Sequence, residues 1–71
     1  MEILVFKTNV RYKKHIRYIT PHLERIAGIT RLNFDLHDKD KILRIEASDV
    51  VPASIENVLQ REGYYCEELM D

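Results

Sequence analysis

The segment 12–36, YKKHIRYITPHLERIAGITRLNFDL, decides the fold because a helical pattern passes directly into a strand pattern within it. Its first apolar residues recur at steps of four, three, four and three, which places them on one helical stripe. They are Tyr12, Ile16, Ile19, Leu23 and Ile26. We expect Gly28 to close this helix as a C-cap. Beyond it, apolar residues alternate with Asn33 and Asp35, which is typical of a half-buried strand.

Pro21 is the discordant residue of the helix predicted over 12–27. A proline inside a helix removes one backbone donor and bends the axis, so we expect a kinked helix. The alternative is a restart of the helix, with Thr20 as its N-cap and Pro21 at the first helical position.

The segment that precedes this one predicts a strand over 2–7, rich in β-branched and aliphatic residues. Strand alternation places Leu4 and Phe6 on one face and Ile3 and Val5 on the other.

The segment that follows predicts a turn at 37–40 and a third strand over 42–47, with Leu43 and Ile45 on one face. Ser54 is expected to cap a second helix, whose apolar side consists of Ile55, Val58 and Leu59. That helix ends at Gly63, and 64–69 predicts the last strand.

This order of elements predicts an α+β, ferredoxin-like βαββαβ sandwich, in which two helices cover one face of a four-stranded antiparallel sheet. The chain has 71 residues, of which 45% are hydrophobic and 32% charged, so we expect one compact domain over 1–71. No repeat beyond the two-fold recurrence of the βαβ unit is visible.

Composition excludes several classes of protein. The single cysteine, Cys66, excludes an internal disulfide and favours a reducing cytoplasm. No apolar run is long enough to insert into a membrane, and the N-terminal run is too short and too early charged for a signal peptide. We therefore expect a soluble protein. Because the sequence contains no Ser/His/Asp set, paired acids in a plausible pocket or Gly-rich phosphate loop, we also expect that it is not an enzyme.

Four short stretches carry a resemblance to a known family: Phe6-Lys7-Thr8-Asn9-Val10, Gly28-Ile29, Asp40-Lys41-Ile42-Leu43 and Gly63-Tyr64. Over its whole length the chain resembles the heavy-metal-associated domains, which include small copper chaperones and the N-terminal modules of metal-transporting ATPases. The second and last stretches match the family's Gly-Val and Gly-Tyr or Gly-Phe pairs. The other two resemble a small bacterial subgroup.

The resemblance implies a metal-binding loop of the form Gly-Met-Thr-Cys-x-x-Cys after the first strand. Counting back from Gly28 places Val10 on the family's Met, and Tyr12 and His15 on its two cysteines. A phenol and one imidazole are poor substitutes for two thiolates, which bind soft Cu(I). We therefore expect no cofactor. The alternative is an atypical copper or zinc carrier in which His15 binds with Tyr12 or with a second chain.

Basic residues crowd the start of the first helix, and the next acid is Glu24. They are Arg11, Lys13, Lys14, His15 and Arg17. Residues 1–31 carry seven basic and two acidic side chains, net +5, and residues 32–71 carry four and ten, net −6. The functional interpretation is a docking patch for an anion or an acidic protein surface, and the alternative is a solvated helix face.

A third hypothesis is anion or nucleic-acid binding at this basic loop, with an affinity that falls steeply with salt. Nucleic acid is disfavoured because the third strand, over 41–45, lacks the aromatic signature of RNA-binding domains of this topology.

The remaining candidate residues have structural interpretations beside the functional ones. Cys66 is expected in the core, and a reactive or ligand role is the alternative. His15 and His22 lie two helical turns apart, roughly 10 Å, which is too far for one metal ion.

The sheet face without helices is expected to group Ile3, Val5 and Ile42, with Tyr65 beside them. This group would contact a second copy of the chain or another protein, unless these are scattered surface aliphatic residues.

Overall fold

A computed structural model describes residues 1–37 and 39–69 of this chain. Strand β1 (Glu2–Thr8) is followed by helix α1 (Lys13–Glu24), strands β2 (Ile29–Asp35) and β3 (Ile42–Ala47), helix α2 (Pro52–Arg61) and strand β4 (Cys66–Glu68). The strands form one antiparallel sheet in the order β2-β3-β1-β4. The predicted ferredoxin-like βαββαβ fold is therefore confirmed.

The core lies between the helices and one face of the sheet. On the two central strands every second side chain is buried, as strand alternation predicts, so Leu4, Phe6, Leu43 and Ile45 face inward. The buried residues of the two helices pack against them. They are Ile19, Leu23, Ile55, Val58 and Leu59. Ile3 lies on the opposite face of the sheet, where 54% of it is exposed.

Helix α1 is shorter than predicted at its C-terminal end and does not use Gly28 as its C-cap. Arg25 caps the helix, and the Ile26 N–H donates to the Leu23 carbonyl over a tighter turn (3.0 Å). Gly28 has a φ of 102° and accepts a hydrogen bond from the Ser48 N–H at 2.9 Å. Its role is therefore a close approach to the chain that leaves β3.

Pro21 lies inside α1 without interrupting it, so the chain forms one helix there, and the alternative of a restart at Thr20 is wrong. Ile19 and Leu23, on either side of the proline, are both fully buried. Packing of these two residues stabilises the turn that lacks one backbone donor.

Helix α2 begins earlier than predicted. Val51 is its N-cap and Pro52 its first residue, so Ser54 is not the cap. Proline suits this position because its φ is already helical and its missing N–H would have no partner there. At the other end Gly63, with a φ of 92°, follows the helix as predicted.

Strand β4 is shorter than the predicted 64–69, since Tyr64 and Tyr65 precede it in irregular structure. The Tyr65 N–H donates to the Asn9 side chain at 2.8 Å instead of to a neighbouring strand. The predicted turn at 37–40 is described except for Asp38. Neither helix in the described ranges has the length and apolar character needed to cross a membrane.

Candidate functional site

The connection between β1 and α1 is held in place by side chains at the end of β1. The Thr8 hydroxyl donates to the Lys41 carbonyl at 2.7 Å and accepts from the Val10 N–H at 3.2 Å. Val10 is fully buried, and Asn9 accepts the hydrogen bond from Tyr65. The connection is thus anchored to both the β2–β3 turn and the start of β4. Sequence analysis assigned no role to Thr8, whose only signal was a position at the end of a strand.

Tyr12 and His15, the positions matched to the family's two cysteines, lie together at the start of α1. Tyr12 is 57% exposed and in extended conformation, immediately before the helix. Its ring centroid lies 5.3 Å from that of His15 in an edge-to-face contact, and the His15 ring lies 5.7 Å from that of Tyr64. Tyr12, His15 and Tyr64 therefore form an aromatic cluster.

The ligand groups at this position do not fit a soft-metal site. Cu(I) favours thiolates, and Tyr12 and His15 offer one phenol and one imidazole. Cys66 is 2% exposed, and burial raises the pKa of its thiol to about 12. Within residues 1–37 and 39–69 no group of three or more His, Cys, Asp or Glu side chains is placed to hold a metal ion.

The two histidines of α1 do not form a common site, as their spacing predicts. His15 lies between Tyr12 and Tyr64, whereas His22 packs on the Tyr18 ring with centroids 5.1 Å apart. The His22 Nε2 atom lies 3.9 Å from the Glu62 carboxylate, at the contact between the two helices.

The basic residues of the loop and helix are exposed except for His15, which is half-buried. Lys13, Lys14 and Arg17 lie on α1, whose first turn contains no acidic residue. The Lys14 ammonium lies 5.9 Å from the centre of the Tyr12 ring, within reach of a cation–π contact. Arg11 precedes the helix and lines a cleft.

This cleft opens between the β1–α1 connection and the β2–β3 turn and has a volume of about 640 Å³. The residues that line it come from β1, both connections and the residue before β4. They are Lys7, Thr8, Asn9, Arg11, Tyr12, Lys39, Asp40, Lys41 and Tyr65. The cleft is not visible in the sequence, because its walls lie far apart in the chain and Lys39 and Lys41 belong to the acidic half, residues 32–71.

The open face of the sheet places Ile3, Val5 and Ile42 on neighbouring strands, but charged residues interrupt them. Glu46 lies opposite Ile3, and Arg44 lies opposite Val5. Val5 and Ile42 are half-buried, so Ile3 presents most of the exposed apolar surface.

Tyr65, predicted beside these residues, precedes β4 in the chain. It contacts Asn9 beyond the end of β1 and lines the cleft, where 46% of it is exposed.

The chain is similar in structure to domains that have been solved with bound metal ions. It superimposes on the yeast copper transporter domain Ccc2a, solved in apo and Cu(I)-loaded states, with a TM-score of 0.86 and 18% identity, covering 100% of this chain and 99% of that one. The N-terminal domain of ZntA in its Zn(II) form matches with a TM-score of 0.77 and 18% identity over 93% of this chain and 89% of that one.

A third match is to the solution structure of the Atx1–Cu(I)–Ccc2a complex, with a TM-score of 0.82 and 18% identity, covering 100% of this chain and 99% of the matched chain. No protein-family model matches the sequence, and no curated protein matches it. At this identity the likeness shows a shared fold. The resemblance to heavy-metal-associated domains is confirmed at that level.

Proposed function

We propose that this chain is a non-catalytic binding module that docks onto an acidic protein surface through its basic end and carries no metal there. The basic end is the group Arg11, Lys13, Lys14 and Arg17. The observation that carries the proposal is that these four exposed cations lie just before α1 or within its first two turns, and the first turn has no acid. Lys13 and Lys14, in the first turn, each oppose the helix dipole at a cost of roughly 0.3–1 kcal/mol, so an anionic partner would offset a local loss of stability.

The fold of this chain supports docking to a protein. Ccc2a, which shares the fold, has been solved in a complex with Atx1 and Cu(I). In the present chain the basic end is a better docking surface than the open sheet face, because Glu46 and Arg44 interrupt the apolar residues there.

The chemistry of the described side chains supports a module without catalysis. The buried Cys66 thiol, with its raised pKa, is a poor nucleophile, and the cleft beside the basic end is open to solvent. A reduced cysteine also fits the cytoplasm, the location that we propose.

A copper or zinc carrier is the second candidate function. The specific observation in its favour is the contact between Tyr12 and His15, whose ring centroids are 5.3 Å apart at the position of the family's metal loop. A second copy of the chain would add another imidazole to such a site.

The metal question is decided by titrating the full chain with Cu(I), Cu(II) and Zn(II) while recording the NMR signals of Tyr12 and His15. We expect no stoichiometric change, because one imidazole is too small a ligand set. Shifts of both residues that saturate at one equivalent would establish the carrier and contradict the proposal.

Docking is tested with a polyglutamate peptide as the probe. The triple variant K13Q/K14Q/R17Q should bind it about tenfold more weakly than the native chain at low salt, since three exposed ion contacts are lost. The matched control is R25Q/R31Q/R44Q, which removes the same charge elsewhere. If the two variants weaken binding of the peptide equally, the peptide is attracted by the net charge of the chain and not by a docking site.

A further inference from the structure

We propose that the cleft between the β1–α1 connection and the β2–β3 turn is a second binding site, which takes a small phosphate ester that bears a planar ring, as a mononucleotide does. This site is independent of protein docking at the basic end, with which it shares Arg11 alone.

The charge of the cleft is the first observation. Among the residues that the structure describes, four basic side chains and one acidic side chain line it, although the whole chain carries a net charge of −1. Lys7 lies 3.9 Å from the Asp40 carboxylate and opposes its charge, and the Lys41 ammonium donates to the Leu36 carbonyl at 2.9 Å. Arg11 and Lys39 make no hydrogen bond or ion pair with another described residue. These two cations are therefore available to a ligand.

The framework of the cleft keeps the cations together. Besides the bond from the Thr8 hydroxyl to the Lys41 carbonyl, the Thr8 N–H donates to the Asp40 carbonyl at 3.3 Å. These bonds connect the β1 wall to the wall that carries Lys39. Like charges held in one cleft repel each other, so a bound anion lowers the energy of the arrangement without a large movement of the chain.

A phosphate suits this pair of cations better than a single carboxylate does. A phosphate monoester carries nearly two negative charges and three strong acceptor oxygens, and can accept from Arg11 on one wall and Lys39 on the other.

The walls also offer aromatic surface. Tyr12 and Tyr65 both line the cleft and remain 57% and 46% exposed. Exposed tyrosine faces stack on planar rings. The cleft volume of about 640 Å³ lies within the range of small-molecule sites. The ring of the ligand is thus expected against a tyrosine, with its phosphate between Arg11 and Lys39.

The test is an NMR titration of the full chain at constant ionic strength with AMP, glycerol 3-phosphate, adenosine and sulfate. We expect AMP to cause saturable shifts at residues 7–12, 39–41 and 65. Glycerol 3-phosphate should bind more weakly than AMP, and adenosine should not bind. The proposal would be overturned if AMP binds no more tightly than sulfate, or if AMP causes no saturable shift.

Variants assign the contacts. R11Q and K39Q should each lower the affinity for AMP roughly fivefold, as expected for loss of one exposed ion contact. Y65L should lower the affinity for AMP to the affinity for glycerol 3-phosphate. R25Q is the matched control, since Arg25 is exposed and lies outside both the cleft and the basic end. Equal weakening by R25Q and R11Q would overturn the site. If the variant K13Q/K14Q/R17Q still binds AMP, the cleft binds its ligand independently of protein docking at the basic end.

Discussion

Two glycines of this chain adopt a similar backbone conformation for different physical reasons. Gly28 and Gly63 have φ values of 102° and 92°, which side-chain-bearing residues rarely adopt. At Gly28 an added Cβ would lie 2.3 Å from the Ser48 carbonyl oxygen and 2.9 Å from a Val50 methyl group. At Gly63 it would meet no atom within 4 Å. The first glycine is required by a close approach of two segments, and the second by its backbone conformation alone.

This difference predicts unequal effects of the same substitution. Gly63→Ala should lower the free energy of unfolding by about 1–2 kcal/mol, the cost of an unfavourable φ. Gly28→Ala should cost about 3 kcal/mol or more, because the backbone at Ser48 must also move. Urea unfolding of both variants measures the two values, and equal losses would contradict the close approach at Gly28.

At the scale of elements, one carboxylate connects the two helices. The Tyr18 hydroxyl on α1 donates to the carboxylate of Glu62, the residue that follows α2, at 2.6 Å. His22 approaches the same carboxylate, and Arg61 lies 3.6 Å from its other oxygen. The hydrogen bond from Tyr18 is the main cause that lowers the pKa of Glu62, and it raises the pKa of Tyr18 in turn. The bond requires a charged carboxylate and a neutral phenol.

The sign of each pKa shift predicts how Tyr18→Phe changes the dependence of stability on pH. The Glu62 contribution is present above its ordinary pKa of 4.5 and is lost as pH falls through its lower folded value. The Tyr18 contribution is present below pH 10.0 and is lost as pH rises through its higher folded value. Tyr18→Phe should therefore lower the melting temperature at neutral pH and flatten both limbs of its pH profile.

Thermal melts of the native chain and the variant between pH 3 and 11 provide the measurement. Tyr12→Phe is the control, since the hydroxyl of Tyr12 has no hydrogen-bond partner in the described ranges. A Tyr18→Phe profile parallel to the native one would contradict the bond.

At the scale of the molecule, stability depends on a small core. The largest fully buried side chains come from both helices, the two central strands and one loop. They are Phe6, Val10, Ile19, Leu23, Leu43, Ile45, Ile55 and Leu59. A chain of 71 residues is expected to have a free energy of unfolding of about 4–10 kcal/mol. Each of these residues therefore carries a large share of the total.

Leu43→Ala should cost about 2–5 kcal/mol, because Leu43 is fully buried on β3, between its neighbours β1 and β2. The adjacent Arg44 lies on the open face, so Arg44→Ala should change stability by no more than about 0.5 kcal/mol. Urea unfolding compares the two variants. A similar loss in both would mean that the helices do not cover the predicted face.

The sequence by itself determined the type and order of the helices and strands, because each element depends on a local repeat of apolar residues. The alternation in β1 and the stripe of α1 specified the inward faces, including Leu4, Phe6, Ile19 and Leu23.

Only the tertiary structure decided where the elements end and which distant residues form the cleft. The Tyr65 N–H meets Asn9 across 56 positions of sequence, and the Tyr18 hydroxyl meets Glu62 across 44. The requirement for glycine at position 28 likewise depends on the close approach of Ser48. Such contacts depend on the packing of the whole chain, and no local period of apolar residues encodes them.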